Sequence, residues 1–312
     1  MRLLITGAGG QLGSAFNCVL GKQKTIHYKA YSRSEMDITD SDKVEYLVAR
    51  EQPDFIINTA AYTQVDLAES EQQKAYAINQ TGPANLAQVC QQRGIGLVHF
   101  STDYIFDGQQ QGAWSEKDVP APLGVYGASK LAGEEAVQQA CDHYLIFRTS
   151  WMFSEFGHNF VKTMLRLGST QEQLSVVADQ FGKPTNALEI ATVVLKILAQ
   201  VDNKWGIYHL AQPEPISWHG FAQAIFSAAR PMVKQAIMGQ AGTERAIKDQ
   251  ELERLMVKEV LAIPGSAYPT PAQRPANSVL DCSKVEQTFG IRLSSWRQSL
   301  ADTLIALNYS IT

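Results

Sequence analysis

The chain has 312 residues, of which 45% are hydrophobic and 19% charged, and its formal net charge at pH 7 is −4. A chain of this length can bury one large core and a second, smaller one, so we expect one or two domains. Because acidic and basic residues are interspersed without a long run of one sign, the composition argues against a nucleic-acid partner.

Short apolar runs alternate with longer amphipathic segments along the first half of the chain. The runs are apolar on both faces, as strands of a parallel sheet covered by helices should be. They cover residues 3–6, 26–31, 55–58, 97–101 and 144–149. Helix-length segments such as 42–51 and 83–93 separate them, and Gly94 follows the second as a candidate C-cap. This alternation predicts an α/β fold with a doubly wound, Rossmann-like parallel sheet.

Glycines cluster directly after the first predicted strand, at Gly7, Gly10 and Gly13, with Gln11 and Leu12 between the last two. In such a turn, glycine lets the backbone bend sharply and approach a pyrophosphate, while the start of the next helix faces the anion. The spacing is G-x-x-G-x-x-G, so a tight structural turn is the alternative. The position between a strand and a helix favours a dinucleotide site.

The end of the second strand is where a Rossmann protein distinguishes its two nicotinamide cofactors. Ser32 and Arg33 stand there, and a hydroxyl beside a guanidinium suits a 2′-phosphate, which favours NADPH over NADH. The alternative is that Arg33 is a solvated surface residue. Asp37, followed by Ile38, either contacts the adenine or caps a helix.

Tyr126 is the only one of the eleven tyrosines with a lysine four residues later, Lys130. Residues at this spacing share a helix face, so a phenol and an ammonium can face one ligand. We expect the ammonium to lower the pKa of the phenol and fit it for proton transfer. The alternative is an exposed lysine one turn from a packing tyrosine.

Thr102 ends the fourth predicted strand, at the sheet edge where ligands of parallel sheets bind. Its hydroxyl could bind a substrate carbonyl, or Ser101, Thr102 and Asp103 could cap a turn.

The second half of the chain is less regular. We predict helices over 187–200 and 218–229, a strand over 207–210, and a solvated helix over the charged residues 242–259. Prolines at 264, 269, 271 and 275 then favour extended or turning chain. The predicted division is a dinucleotide-binding domain of residues 1–150 plus about 187–208, and a substrate-binding lobe of about 151–186 and 209–312.

Seven blocks of sequence give the chain a resemblance to a known family. They are TGAGGQLG (6–13), NTAAYTQVD (58–66), STDYIFDG (101–108), YGASKLAGE (126–134), RTSW (148–151), DQFGKPT (179–185) and YPTPAQRP (268–275). With them the chain resembles the extended short-chain dehydrogenase/reductases and, within these, the dTDP-4-dehydrorhamnose reductases. The first and fourth blocks mark the superfamily, whereas the third and last are more specific.

The resemblance implies hydride transfer from NADPH or NADH to the C4 ketone of a dTDP-linked 4-keto-6-deoxy sugar. Tyr126 would donate the proton, Lys130 would hold the nicotinamide ribose, and Thr102 would polarise the ketone. The predicted cofactor site as a whole is Gly7, Gly10, Gln11, Leu12, Gly13, Ser32, Arg33, Asp37, Ile38, Ala60, Ala61, Tyr62, Asn79, Tyr126 and Lys130. The predicted substrate site is Thr102, Asp103, Trp151, Asn159 and Arg274.

Two of the predicted substrate contacts have structural alternatives. Arg274 suits a diphosphate, because a guanidinium pairs with two phosphate oxygens, but it could form a surface salt bridge. Trp151 could pack on a sugar or base, or could belong to the core.

The sequence departs from the family in two respects. Some relatives are magnesium-dependent dimers bridged by glutamates, but the corresponding positions here are Ala15 and Leu188. We therefore predict no protein-held metal, leave Mg²⁺ as a possibility of the family only, and expect a monomer or weak homodimer. The charged stretch between Arg230 and Val260 is longer than we expect of the family.

The cysteines and the chain start bear on location. Cys18, Cys90, Cys141 and Cys282 lie far apart without a C-x-x-C pair, which argues against a disulfide framework and a zinc site. No signal-peptide core or membrane span is evident, so we expect a cytoplasmic protein without a membrane partner.

Two other functions stay open at this point. One is a nucleotide-sugar 4-epimerase of the same superfamily, which keeps its NAD bound. The other is a non-catalytic regulatory subunit resembling that of methionine adenosyltransferase.

Overall fold

A six-stranded parallel sheet forms the centre of the molecule, which a computed structural model describes over residues 1–239 and 255–309. The sheet order is β10-β5-β4-β3-β1-β2. Its strands are β1 (Arg2–Thr6), β2 (His27–Tyr31), β3 (Phe55–Asn58), β4 (Gly96–Thr102), β5 (Tyr144–Thr149) and β10 (Gly206–His209). β1 lies between β2 and β3, so the strands that follow it are added on both of its sides. This topological switch point opens a crevice at the carboxyl ends of the strands. The predicted doubly wound α/β fold is confirmed.

Helices cover both faces of this sheet because its strand side chains are apolar on both sides. Leu4, Ile56 and Leu97 point to one face, and Leu3, Ile57 and Val98 to the other. The first face is covered by α2 (Ser41–Glu51), α5 (Gly82–Arg93) and α6 (Val125–Ala140), the second by α1 (Gln11–Leu20) and α8 (Ala187–Leu198). Full burial of each such Leu or Ile contributes about 1.5–3 kcal/mol.

The helix ends follow local sequence signals. The side chain of Asp40 accepts a hydrogen bond from Lys43 N and caps α2. Gly94 ends α5 in the left-handed region at a φ of 64°, as its predicted role as a C-cap allows. Asn186 caps α8 by accepting from the backbone of Leu188 and Glu189.

Three short helices precede or break the regular alternation. They are α3 (Val65–Ala68), α4 (Gln72–Tyr76) and a π-helical turn (Ala77–Thr81) that leads directly into α5. The π turn lies against α6, where a Cβ on Gly133 would be 2.0 Å from the Asn79 carbonyl oxygen. It therefore fixes the position of the helix that carries Tyr126 and Lys130.

Most of the rest of the described chain forms a second lobe with its own core. Its elements are β6 (Met152–Phe153), α7 (Phe160–Gly168), β7 (Gln173–Val177), β8 (Phe181–Gly182), β9 (Thr185–Asn186), β11 (Ile216–Ser217), α9 (Trp218–Gly239), β12 (Glu259–Ile263) and α11 (Trp296–Tyr309). Its strands pair as β12 with β7, β11 with β8 and β9 with β6. Phe153, Phe221 and Trp296 form the centre of its core. Helix α10 (Ser283–Phe289) instead packs on β10 in the core of the central sheet. Between these segments, α8 packs on α1 and β10 pairs with β5, so the chain returns to the sheet layer.

The prediction of a solvated helix over 242–259 is wrong where it can be compared. Residues 240–254 lie outside the described residues. Residues 255–259 are not helical, because the backbone N–H groups of Met256 and Val257 donate to the Gly168 carbonyl oxygen. Glu259 then begins β12 opposite Gln173. The predicted helix over 218–229 is confirmed and extends to Gly239.

Among the described helices, none combines the length and hydropathy that a bilayer crossing requires.

Candidate active site

The glycine turn brings the end of β1 against the end of β3. Gly7 has a φ of +71°, and a Cβ on it would lie 2.6 Å from Ala60 N. A Cβ on Gly13 would lie 2.3 Å from the Gly7 carbonyl oxygen, whereas a Cβ on Gly9 would meet nothing within 4 Å. Gly7 and Gly13 are therefore required by close backbone approach.

Helix α1 begins at this turn with its N-terminus open. Gly10 is its N-cap, and no side chain caps the backbone N–H groups that follow. Gln11 is partly exposed, while Leu12 is buried and packs into the core. An uncapped helix N-terminus with a glycine approach is suited to a pyrophosphate, so this turn fits the predicted dinucleotide.

A chain of buried polar side chains, which was not predicted from the sequence, runs beneath the sheet edge. Thr6 Oγ1 donates to Asn58 Oδ1 at 2.7 Å, and Asn58 Nδ2 donates to His99 Nδ1 at 3.0 Å. Asn58 Oδ1 also accepts from Ala60 N. Burial and the nearby charge of Lys130 hold the pKa of His99 well below its usual value, so the imidazole is neutral. A histidine within an otherwise apolar strand was the signal for this network.

The polar side chains of the loop after β2 form hydrogen bonds and an ion pair with one another. Ser32 donates through its backbone N and its hydroxyl to Glu35, at 2.8 and 2.6 Å. Arg33 pairs with Asp37 at 3.3 Å, and Asp37 also accepts from Thr39. Glu35 was not predicted as part of this site, although it engages the groups expected to meet a 2′-phosphate.

Ile38 is a core residue. Its side chain is 3% exposed and packs against Gly82, where a Cβ would be 2.4 Å from Ile38 Cδ1. The predicted place of Ile38 in the cofactor site stays a prediction. Its carbonyl oxygen accepts from Asn85.

The segment after β3 carries Ala60, Ala61 and Tyr62, and Asn79 holds it in place. Asn79 Oδ1 accepts from Tyr62 N at 2.8 Å, and its Nδ2 donates to the Tyr62 carbonyl oxygen and to Ser129 Oγ. Asn79 is fully buried. Its side chain therefore fixes the groove wall and the start of α6.

Tyr126 and Lys130 lie one turn apart on α6 and face the sheet edge. Lys130 is buried, and its Nζ donates to the Phe100 carbonyl oxygen at 2.6 Å. Burial lowers the pKa of Lys130 to about 8, and the charge of Glu134 opposes this shift. Burial also raises the pKa of Tyr126 to about 12, although a hydrogen bond with Thr102 lowers it. The expectation of a lowered phenol pKa is wrong for the free protein, because desolvation outweighs stabilisation by neighbours.

Thr102 ends β4 beside Tyr126, and Asp103 begins the 3-10 turn that follows. Thr102 Oγ1 accepts from Tyr104 N at 3.2 Å and donates to Asp103 Oδ1 at 3.1 Å. Ser150 Oγ donates to Asp103 Oδ2 at 2.9 Å. Asp103 is 2% exposed in the free protein, and its predicted contact with the sugar stays a prediction.

Trp151 adopts a left-handed backbone with a φ of 43°. Its indole stacks on Trp218 with ring centroids 3.3 Å apart and planes 5° from parallel. A Cβ on Gly182 would lie 2.4 Å from this indole, so the glycine leaves the space that the stack needs. A backbone of this kind costs about 1–3 kcal/mol and is held here by the packing.

A cavity of about 410 Å³ opens beside this stack, and we refer to it as the α7–β7 cavity. Its lining is mainly apolar, with a few polar groups, as small-molecule sites are. The lining residues are Phe160, Thr163, Met164, Leu167, Gln171, Leu174, Ser175, Val176, Val177, Gln180, Trp218, Tyr268 and Arg274.

Arg274 is fixed by an ion pair across the cleft. Its Nη1 and Nη2 donate to the two carboxylate oxygens of Asp66 at 3.0 and 2.8 Å, and Nη1 also reaches Thr270 and the Ala272 carbonyl. The alternative salt bridge is thus present, while Arg274 also lines the α7–β7 cavity, and its predicted contact with the diphosphate stays a prediction.

Asn159 has a local structural role. Its Oδ1 caps α7 by accepting from Lys162 N, and its Nδ2 donates to the Ser154 carbonyl oxygen at 2.7 Å. Both ends of the amide are therefore engaged by the protein, and the predicted sugar contact stays a prediction.

The two positions at which relatives carry bridging glutamates cannot supply carboxylates here. Ala15 is fully buried in α1, and Leu188 packs against the same core. Within residues 1–239 and 255–309, no three His, Cys, Asp or Glu side chains are placed to hold a metal ion.

The fold and the site together define the class of protein: a Rossmann-like α/β protein of the short-chain dehydrogenase/reductase type, with its Tyr126 and Lys130 beside a glycine turn. The chain belongs to the RmlD substrate binding domain family, whose model matches residues 1–309. The resemblance stated from the sequence is thereby confirmed.

Individual relatives match over nearly the whole chain. A dTDP-4-dehydrorhamnose reductase of Aggregatibacter actinomycetemcomitans is 42% identical over 303 residues, 96% of this chain and 97% of the relative. The crystal structure of dTDP-4-dehydrorhamnose reductase from Bacillus anthracis in complex with NADP is 34% identical, with a TM-score of 0.85, and covers 98% of this chain and 99% of that chain. A UDP-glucose 4-epimerase of Thermus thermophilus, 18% identical with a TM-score of 0.77 over 99% of both chains, shares the fold alone.

Proposed function

We propose that the chain reduces the C4 ketone of dTDP-4-dehydro-L-rhamnose to dTDP-L-rhamnose with NADPH or NADH. The observation that carries this proposal is the position of the Tyr126 phenol. It lies at the carboxyl edge of the sheet, within hydrogen-bonding reach of Thr102, in a chain whose full-length relatives are named dTDP-4-dehydrorhamnose reductases.

The dinucleotide is held by the glycine turn and the groove beside it. The open N-terminus of α1 faces the pyrophosphate, and the close approach at Gly7 and Gly13 keeps side chains out of its path. Ser32 and Arg33 meet the adenosine ribose, and Ala60 to Tyr62 line the groove. The cofactor supplies hydride when it is bound.

Tyr126 is the proton donor to the ketone oxygen. With a pKa of about 12 its phenol carries its proton at neutral pH, as a donor in the direction of reduction requires. The Lys130 ammonium has three N–H donors, and one of them is used by the Phe100 carbonyl oxygen. Lys130 holds the nicotinamide ribose with the other two. Its pKa of about 8 keeps it mostly charged at neutral pH.

The nucleotide of the substrate occupies the α7–β7 cavity. The cavity combines apolar walls for a base with Gln180 and Arg274 at its polar side. Arg274, already oriented by Asp66, meets the diphosphate. Trp151 packs on the sugar at the mouth of the cavity, beside Trp218.

The test is NADPH and NADH oxidation with dTDP-4-dehydro-L-rhamnose, with and without magnesium. Tyr126→Phe should lower turnover by a factor on the order of 10²–10⁴ and leave the Kd for NADPH unchanged, because only the proton donor is lost. Tyr46→Phe, at an exposed tyrosine of α2, is the control. Retained turnover in Tyr126→Phe would refute the role of Tyr126.

The same preparation separates the other two functions. Tightly bound NAD in the purified protein, with sugar conversion that needs no added reductant, would indicate a 4-epimerase. Absence of reduction together with co-purification of a methionine adenosyltransferase would indicate a regulatory subunit.

We further propose a cytoplasmic protein that is a monomer or weak homodimer. The support is the absence of carboxylates at positions 15 and 188. Sedimentation should give the same mass with and without magnesium.

A further inference from the structure

Helix α6 begins at a glycine, although Tyr126 lies in its first turn. Gly124 is the N-cap residue, with an extended backbone and no side chain that could accept from the first N–H groups of the helix. Residues 125–128 of the first turn include no acid either. Because Tyr126 is the second residue of α6, fraying of this turn would move its phenol.

Glu69 caps this helix from another segment of the chain. It follows α3, and its Oε1 accepts a hydrogen bond from Val125 N at 2.8 Å. A Cβ on Gly124 would lie 2.7 Å from the same Oε1, whereas its nearest neighbour outside Glu69 would be Ala272 Cβ at 3.9 Å. Glycine at the N-cap therefore makes room for the carboxylate. A negative charge at a helix N-terminus also interacts favourably with the helix dipole.

Apolar packing holds α3 against the first turn of α6. Ala68, directly before Glu69, is fully buried in a small cluster with Tyr62. Val125 and Tyr126 pack against this cluster. The hydrogen bond from Val125 N to Glu69 thus joins two segments that already lie against each other, and it fixes the start of α6 relative to α3.

We propose that Glu69 is a positioning residue for the reduction and that it holds the phenol of Tyr126 in place through the first turn of α6. The inference rests on the proposed function. Proton transfer requires the phenol within about 2.6–3.2 Å of the ketone oxygen, so a small displacement of Tyr126 slows the reaction. Lys130 lies one turn further along α6 and keeps its own bond to the Phe100 carbonyl oxygen, so cofactor binding does not depend on Glu69.

Two acids three residues apart therefore act on different steps. Asp66 belongs to α3 and pairs with Arg274, which lines the α7–β7 cavity. Its replacement should change the KM for the nucleotide sugar, whereas replacement of Glu69 should change kcat. A loss of stability alone would not separate the two variants in this way.

The test is NADPH oxidation with dTDP-4-dehydro-L-rhamnose, with rates normalised to the NADPH-binding sites in each preparation. Glu69→Ala should lower kcat by about tenfold or more and leave the Kd for NADPH unchanged. Glu69→Gln should keep kcat within about twofold of the wild type, because its amide oxygen accepts from Val125 N and only the charge is lost. Glu135→Ala, at an exposed glutamate of the same helix, is the control.

A double variant restores the cap at a different position. Serine is a preferred N-cap residue, and Glu69→Ala removes the carboxylate that a Cβ at position 124 would meet. Gly124→Ser added to Glu69→Ala should therefore recover most of the lost kcat. The inference is wrong if Glu69→Gln is as slow as Glu69→Ala, or if the double variant shows no recovery.

Amide hydrogen exchange tests the same role without substrate. Val125 N donates to Glu69, and Ala128 N donates to the Gly124 carbonyl oxygen at 3.0 Å. Both amides should exchange about tenfold faster or more in Glu69→Ala and at the wild-type rate in Glu69→Gln. Unchanged exchange in Glu69→Ala would overturn the inference. If wild-type protein does not oxidise NADPH with the 4-keto sugar, the proposed function itself fails, and the exchange rates still decide whether Glu69 holds the first turn.

Discussion

Arg148 and Glu134 form an ion pair that is almost completely withdrawn from water, one helical turn beyond Lys130. Arg148 Nη2 donates to Glu134 Oε2 at 2.7 Å, and Nε bridges both carboxylate oxygens at 3.1 Å. The side chains are 4% and 0% exposed. The negative charge of Glu134 also supports the ammonium of Lys130, so the pair connects stability with the active site.

Removal of the Glu134 carboxylate should lower the stability of the fold. Glu134→Gln leaves the guanidinium buried without its counter-charge, and we expect a loss of about 3–5 kcal/mol in the free energy of unfolding by urea. Glu172→Gln is the matched control, because its pair with Lys258 is exposed and should contribute less than about 1 kcal/mol. Equal losses in the two variants would contradict the prediction.

Two glycines of the same turn should respond differently to alanine. In Gly13→Ala the new methyl group meets the backbone of Gly7 and Ala8, so we expect weakened folding and a loss of NADPH binding of tenfold or more, about 1.4 kcal/mol. Gly9→Ala meets no neighbour and should bind NADPH as the wild type does. Fluorescence titration with NADPH measures both, and similar Kd values would count against a close-packed cofactor turn.

Arg274 should affect the sugar nucleotide and leave the cofactor unaffected. Arg274→Ala removes a guanidinium at the α7–β7 cavity, and we expect the KM for the nucleotide sugar to rise at least about tenfold while the KM for NADPH stays constant. Asp66→Asn should give a smaller rise, because it loosens the orientation of Arg274. Arg297→Ala, at an exposed pair with Glu214, is the control. An unchanged sugar KM would place the diphosphate elsewhere.

Glu35 should limit the preference for NADPH. Its carboxylate takes the N–H and hydroxyl of Ser32 that a 2′-phosphate would use, and it repels that phosphate. We expect Glu35→Gln to raise the ratio of kcat/KM for NADPH over NADH by about tenfold, near 1.4 kcal/mol, and Arg33→Ala to lower it. Glu45→Gln, at an exposed side chain of α2, should leave the ratio unchanged. A ratio unaffected by Glu35→Gln would show that the loop does not discriminate between the cofactors.

The sheet was predictable because its signals are local. Apolar runs mark β3 and β5 to the residue, and Gly94 marks the end of α5. The glycine turn could be located for the same reason. The contact of this turn with the chain after β3 could not be predicted, because the approach of Gly7 to Ala60 depends on the pairing of β1 with β3.

Parts of the site were not predictable because their partners are distant in sequence. Asp103 is held by Ser150 and Ser278, which come from two other segments of the chain. The packing of Ile38 against Gly82 and the capping of α7 by Asn159 were likewise not predicted from the sequence pattern. Similarly, burial reversed the expected shift in the pKa of Tyr126.

The return of the chain to the sheet layer limits how the protein can be divided. A fragment that ended after β5 would lack β10 and α8, so β5 would become an open edge strand and the apolar side of α1 would lose its cover. Open edges of this kind pair readily with other molecules. A truncated dinucleotide-binding half should therefore aggregate, and the two halves cannot be exchanged between relatives by a single crossover.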